Sequence, residues 1–163
     1  DGLFMAALLG GTTFNELRHA WLAAESELES GVTLRVAPFA DIRDMGGLLQ
    51  RAGFALPVVD TDPVTVTYAD ALSAMREIKQ MGLSNALHQR SSRPTRRQTL
   101  AHACAAYEHE FARDDGRIPA TFEIFYLTGW SPHESQQQPL KPGSAKARLA
   151  DALSTKEFPL KSE

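Results

Sequence analysis

The sequence predicts an α/β fold, on three observations. Ala120 to Thr128 is a nearly continuous apolar run with Phe122, Ile124 and Tyr126 on one face and Phe125 and Leu127 on the other, the pattern of a strand covered on both sides of a sheet. A second apolar run, Gly2 to Leu9, opens the chain, so that a central-looking strand comes first and the polypeptide is expected to start in the middle of a fold. Between the two runs, apolar residues recur at three- and four-residue steps, which is the spacing of helices with one buried face.

The elements follow in order. Gly10-Gly11-Thr12 reads as a turn, and Thr13 with Glu16 three positions on has the form of a capping box for a helix running to about Glu29. Its stripe is Phe14, Leu17, Trp21, Ala24 and Leu28, with Glu25, Glu27 and Glu29 largely off it. Asp41 and Asp44 repeat the capping logic ahead of Ile42, Met45, Leu48, Leu49 and Ala52, and Gly53 supplies a left-handed stop. Leu56 to Asp60 and Val64 to Tyr68 are β-branched runs separated by Thr61-Asp62-Pro63, giving one bent strand or two short ones with Pro63 at an edge or a bend. Asp70 to Met81 is helical with Ala71, Met75 and Ile78 inward and Gly82 closing it. A further helix carries Leu100, Ala103, Cys104, Tyr107 and Phe111 before an Asp114-Asp115-Gly116 turn. Ser84 to Gln98 has little apolar content and holds Arg90, Arg93, Arg96, Arg97 and Pro94, so it reads as a mobile loop or an interaction surface. After Lys146 a short helix from Ala147 to Leu153 is expected, and Thr155 to Glu163 as a frayed tail, which makes residues 1–154 one structural part. Three strand regions leave the sheet short against a mean of about five to six strands.

The 163 residues suit one domain, and 43% hydrophobic with 23% charged residues is the balance of a globular protein. A net charge of −3 argues against a general nucleic-acid binder. Cys104 is the single cysteine, in an apolar helical pattern, which excludes an internal disulfide and a Cys-based zinc site and points to a reducing compartment and a buried thiol. The first apolar run is too short for a membrane helix and no basic segment precedes it, so neither a span nor a targeting signal is expected.

Three stretches carry a resemblance: DGLFMAALLGGTTFNELR at the start, the middle from PFADIRDMGGLLQRAGF through MGLSNAL, and DGRIPATFEIFYLTGWSPHESQQQPLKPGSAK at the end. They resemble the C-terminal half of class I S-adenosylmethionine-dependent methyltransferases, in the branch of the complex I assembly factor 5 type proteins and their bacterial relatives. More distantly, the chain is similar to the biotin-pathway malonyl-carrier-protein methyltransferases. LLQRAGF before a strand is common to many methyltransferases, whereas GWSPHESQQQPLKPGSAK together with MGLSNAL is specific to the branch. The resemblance implies the C-terminal part of a seven-stranded Rossmann-like sheet with inserted helices, in which Leu3 to Leu9 is strand five, Val58 to Tyr68 strand six and Ala120 to Thr128 the antiparallel strand seven. It implies S-adenosylmethionine as cofactor for the parent enzyme, held on four earlier βα units that amount to on the order of 100 residues. No GxGxxG or close variant occurs here, and Gly10-Gly11 and Gly46-Gly47 lack the required combined context of a strand and an acidic residue about 20 positions on, so no cofactor-binding residue is assigned in this chain.

Ligands of open α/β sheets bind beyond the carboxyl ends of the parallel strands, which makes Gly10 and Gly11, with Asn15 and Arg18 one turn into the helix, candidates to face a substrate; the plainer account is a turn, a cap and a solvated arginine. Trp130, His133, Ser135 and Gln136, with Glu134 and Lys141, form a second set. There His133 can act as a base or orient a carbonyl and the glutamines can clamp a peptide backbone, or Trp130 anchors a loop whose polar residues satisfy its own backbone. Tyr68 and Asn85 close elements that can roof the same pocket. His102 and His109 lie seven apart and lack the i, i+4 spacing of a two-His metal pair, so no metal site is assigned, and no residue is assigned a catalytic role. The Arg90 to Arg97 cluster either grips phosphate or an acidic protein or is a solvated loop.

The expected function is that of a C-terminal fragment of a methyltransferase-fold enzyme. The resemblance implies that the parent acts on a protein side chain, by arginine methylation or hydroxylation, with a subunit of respiratory complex I as partner, in the bacterial cytoplasm or the mitochondrial matrix. The competing expectation is a non-enzymatic assembly module that uses the Arg-rich loop and Gln-rich tail to bind a partner, and dimerisation stands as a third way to complete the sheet.

Overall fold

A computed structural model of the chain describes residues 1–137, 141, 144 and 149–156. The chain divides into two compact units, Asp1–Pro132 and His133–Glu163. The first unit is built from strands β1 (Leu3–Leu9), β2 (Ala55–Tyr68) and β3 (Ile118–Trp130) and helices α1 (Asn15–Leu28), α2 (Ile42–Arg51), α3 (Ala71–Gln80) and α4 (Arg97–Phe111). In the second unit a short helix, α5, spans Leu149–Ala152, within the expected 147–153; residues 147 and 148 and the end of the expected tail, 157–163, lie outside the described residues.

The last strand takes the centre of the sheet, in the order β1-β3-β2. β3 is antiparallel to both neighbours, with Leu9 opposite Ile124 on one side and Tyr68 opposite Ile118 on the other. β1 and β2 therefore point the same way, and their carboxyl ends, at Gly10 and Tyr68, lie at one end of the sheet. Trp130 lies at the other end, opposite Leu3.

Alternation along β3 separates two cores. Ile118 and Ala120 face one way with Phe122 and pack with Phe14, Leu17, Tyr68, Ala71, Ile78 and Tyr107 under α1, α3 and α4. Phe125 and Leu127 face the other way with Leu49 of α2, flanked by Phe4, Ala6, Leu8 and Phe54. The helical cover of the first face stops short: Leu3, Met5, Val58 and Tyr126 are exposed, Met5 by 69%. The two covers are therefore staggered along β3, the first face being packed at Ile118 to Phe122 and the opposite face at Phe125 and Leu127.

β2 is one strand, not two, and runs straight through Thr61-Asp62-Pro63, with Pro63 paired to Glu123. Proline is tolerated because β2 is an edge strand among the described residues and the missing N–H can face outward. Its register slips between Ala55 and Val58, where Leu56 adopts a left-handed φ of 49°.

Two expectations for α1 are corrected. The Thr13–Glu16 capping box does not form: the helix begins at Asn15 after Phe14, which has φ 57° and offers no side-chain cap. Thr13 and Glu16 are spent on β3 instead. Thr13 Oγ1 accepts from the Glu123 amide at 3.1 Å and lies 3.3 Å from its carbonyl, while the Glu16 carboxylate accepts from the amide and hydroxyl of Thr121. Pinning the loop to the sheet uses the oxygens that would have capped the helix. Glu25, expected off the apolar stripe, is 1% exposed, held there by partners described below. The Asp41 and Asp70 caps form, accepting from the amides of Arg43 and Ser73, and Gly53 and Gly82 take left-handed φ values after α2 and α3.

Candidate functional site

The site is built around the turn that leaves β1. Gly10 donates its amide to the Glu123 carbonyl at 2.7 Å, and the Glu123 carboxylate accepts from the Thr12 amide at 2.9 Å. A Cβ on Gly10 would lie 2.5 Å from the Phe125 ring and 2.6 Å from Glu123 Oε2, so only glycine lets the chain pass this close to β3. Phe14 then donates to the Thr121 carbonyl at 2.8 Å. The turn is a fixed ledge at the carboxyl end of β1.

Four candidates meet here. Gly10 and Gly11 form the ledge, and Arg18 reaches back over it, its guanidinium 3.4 Å from the carbonyls of Gly11 and Thr13. Asn15 is half-buried, and its side-chain amide forms no hydrogen bond among the described residues, which leaves one donor pair and one acceptor for a ligand. Tyr68 is at the same end of the sheet but buried in the core; its hydroxyl lies beside the Glu77 carboxylate without a hydrogen bond of good geometry. Burial, and then the negative charge of Glu77, push its pKa up. Tyr68 therefore packs and does not roof a pocket. Asn85 bridges loops, donating to the Leu34 carbonyl at 2.5 Å and accepting from the Leu87 amide at 2.9 Å.

The second set of candidates divides between the two units. Trp130 stands at the far end of β3. In the second unit His133 Nδ1 lies 2.8 Å from Ser135 Oγ and accepts from the Ser135 amide at 3.2 Å, and the Gln136 amide donates to the His133 carbonyl. A neutral His133 with an accepting Nδ1 carries its proton on Nε2. His102 pairs with Glu27. Cys104 is half-buried rather than buried, and burial, then Glu108 and Asp70, raise its thiol pKa, so it is no activated nucleophile.

Sequence patterns missed two groups. Glu123 sits in an apolar strand, and that lone charge was the available signal. Glu25 is the other: burial pushes its carboxyl up, but the amide and hydroxyl of Thr33 and the guanidinium of Arg35 outweigh this and hold it below the usual carboxylate range. Arg35 Nε donates to it at 2.5 Å, and the Arg35 guanidinium lies over the Trp21 ring, 5.1 Å from its centroid. Nothing in α1's spacing marks Glu25, because its partners come from the loop after the helix.

The described residues do not fit S-adenosylmethionine. A methionine-cradling turn needs backbone amides free to face the ligand, whereas the Gly10 and Thr12 amides are taken by Glu123 and Gly46-Gly47 lies inside α2.

No family model matches the chain. Among curated proteins it is 41% identical over 159 residues to the arginine-hydroxylase NDUFAF5, mitochondrial, of Dictyostelium discoideum, covering 97% of this chain and 36% of that protein. It is 42% identical over 151 residues to the protein of the same name from Danio rerio, covering 93% and 47%. With the malonyl-[acyl-carrier protein] O-methyltransferase of Laribacter hongkongensis the identity is 39% over 143 residues, covering 88% and 46%. The chain spans less than half the length of these relatives. The resemblance is thus to the branch that holds both these arginine hydroxylases and the malonyl-carrier-protein O-methyltransferases, over less than half of their length.

Proposed function

We propose that the chain is the substrate-facing corner of a larger enzyme that modifies an arginine side chain of a protein. The strand order β1-β3-β2, with β3 antiparallel to both neighbours, supports assigning β1, β2 and β3 as strands five, six and seven of a methyltransferase-like sheet. S-adenosylmethionine then belongs to the other βα units of the parent, since the turn after β1 is closed to it.

One observation carries the substrate reading. At the carboxyl end of β1, where ligands of such sheets bind, the Glu123 carboxylate stands beside the ledge and the unengaged Asn15 amide opens the helix four residues past Gly11. A carboxylate and an amide are the partners a guanidinium seeks. In this role Glu123 offers its remaining lone pairs to the cationic end of an arginine, Asn15 fixes its orientation, and Arg18, tied to two carbonyls, is kept from competing. Hydroxylation is favoured over methylation by the names of the 41% and 42% identical relatives. Those names also favour a mitochondrial setting in eukaryotes, and the branch resemblance favours a complex I subunit as the protein substrate.

The test is an Asn15→Ala change in the full-length gene in its own organism, with arginine-containing peptides of complex I subunits read by mass spectrometry. A peptide that loses one oxygen atom's mass in the variant supports hydroxylation, and loss of one methylene supports methylation. Arginine peptides unaltered by both Asn15→Ala and deletion of the gene would favour the assembly-module reading.

A further inference from the structure

Beside the apolar core lies a cavity of about 480 Å³ that no step above uses, walled on one side by the end of α1 and the loop after it and on the other by residues 89–96. Four arginines line it, Arg35, Arg90, Arg93 and Arg96, against two carboxylates, Glu25 and Glu29. Both carboxylates are already matched. Glu25 is held by Arg35 and Thr33, and Glu29 accepts from Thr99 Oγ1 at 2.8 Å and faces Arg96 at 3.5 Å. Arg90 and Arg93 form no ion pair among the described residues, and the hydroxyls of Ser91 and Ser92 line the same cavity. The wall therefore carries two uncompensated positive charges and several spare donors.

A second, apolar cavity of about 280 Å³ adjoins it and shares Val32, Thr33 and Arg35 with it. Trp21, Leu22, Leu34 and Val36 form its remaining apolar wall, and Leu22 and Leu34 are about half exposed, at 49% and 50%. Arg35 stands at the border with its Nε on Glu25 and its guanidinium face over Trp21, so it is a fixed partition and not a mobile lid.

We propose that the two cavities form one binding site for a small amphiphile, whose phosphate-type dianion is held by Arg90, Arg93, Ser91 and Ser92 and whose apolar chain lies in the groove of Trp21, Leu22 and Leu34. A tetrahedral dianion suits this wall better than a single carboxylate, because two guanidinium forks and two hydroxyls offer more donors than one carboxylate can accept from in one geometry. The combined space is in the range of ordinary small-ligand sites. Arg18, which reaches over the ledge at Gly10, also lines the apolar end of this site, but the proposal does not depend on the arginine-modification reading.

The test is calorimetric titration of the chain with decyl phosphate below its micellar concentration, beside inorganic phosphate and decyltrimethylammonium. Decyl phosphate is expected to bind at least ~10-fold more tightly than inorganic phosphate, since its chain removes apolar surface from water, and the ammonium amphiphile is expected not to bind. The double change Arg90→Ala and Arg93→Ala should weaken decyl phosphate at least ~10-fold through lost charge-assisted hydrogen bonds. Arg90 and Arg93 are exposed, so the fold survives their loss. Leu34→Asp should weaken decyl phosphate and leave inorganic phosphate unchanged, which separates the chain's contribution from the head's. Equal binding of both amphiphiles, equal binding of free and alkyl phosphate, or full affinity in the double variant would each overturn the proposal.

Discussion

Glu25 and Arg35 are joined by a 2.5 Å contact between Oε1 and Nε, with the carboxylate 1% exposed and the guanidinium side chain 20% exposed. The pair ties the last turn of α1 to the loop that follows it. Removing the cation would strand a buried anion, so Arg35→Ala should destabilise the fold by about 3 kcal/mol, softened where the Thr33 amide and hydroxyl still donate. Urea unfolding measures it, and Arg35→Lys should recover only part of the loss because a lysine has no Nε fork.

The same carboxylate sets a pH dependence. Its folded pKa is below its unfolded one, so the stability it contributes is fully present above the ordinary glutamate pKa and is lost as pH falls through the folded value. The wild-type stability curve should therefore drop more steeply on the acid side than that of Glu25→Gln, and the two should run parallel near neutrality. Parallel curves throughout the acid range would remove this account.

Gly10→Ala should destabilise the chain by about 2 kcal/mol or more, since its Cβ would force the Phe125 ring out of the core. Replacing Gly47, whose Cβ would meet nothing within 4 Å, by alanine should instead leave stability unchanged or raise it, by up to about 1 kcal/mol, in the interior of α2. Thermal unfolding of the two variants side by side checks the contrast.

Tyr107 is fully buried and donates its hydroxyl to the Pro119 carbonyl at 2.7 Å. Tyr107→Phe leaves that carbonyl without this donor and should cost about 1 to 2 kcal/mol. The phenol should also stay protonated to high pH, because burial and then the neighbouring Glu16 and Tyr68 oppose its ionisation; a spectrophotometric alkaline titration in which Tyr107 ionises only with unfolding is the expected result.

Cys104 should react with a thiol-specific disulfide reagent more slowly than a free cysteine at pH 8, with thiolate formation disfavoured by burial and by Glu108 and Asp70. Glu108→Gln should speed the reaction.

The periodic elements were legible because each follows from one rule applied locally. The Asp41 cap, the stops at Gly53 and Gly82 and the apolar faces of β1 and β3 needed no knowledge of the partner element. What was not legible came from residues whose partners are distant in sequence. Thr13 and Glu16 satisfy every local criterion for a capping box and lose it to Thr121 and Glu123, more than 100 positions away. Glu25 looks like a surface residue until Arg35 arrives from the next loop. At the candidate site, the sequence located the ledge of Gly10, Gly11, Asn15 and Arg18, because the end of a strand is a local fact. It was silent on Glu123, which gives that ledge its charge, and it could not say that the antiparallel register sets Trp130 the length of β1 away from that turn.

The two flanks of the sheet are defended unequally. β2 presents Asp60, Asp62 and Pro63 along its length, features that discourage a foreign strand from adding on. β1 reads Leu-Phe-Met-Ala-Ala-Leu-Leu without a charge or a proline; among the described residues its outer edge is met only beyond its end, by the Gly10–Ala40 bridge, and Leu3 and Met5 are exposed. Wherever that flank meets solvent it is the side of the sheet least protected against strand addition, and one lysine in place of Met5 would give it a charge, which β2 already has.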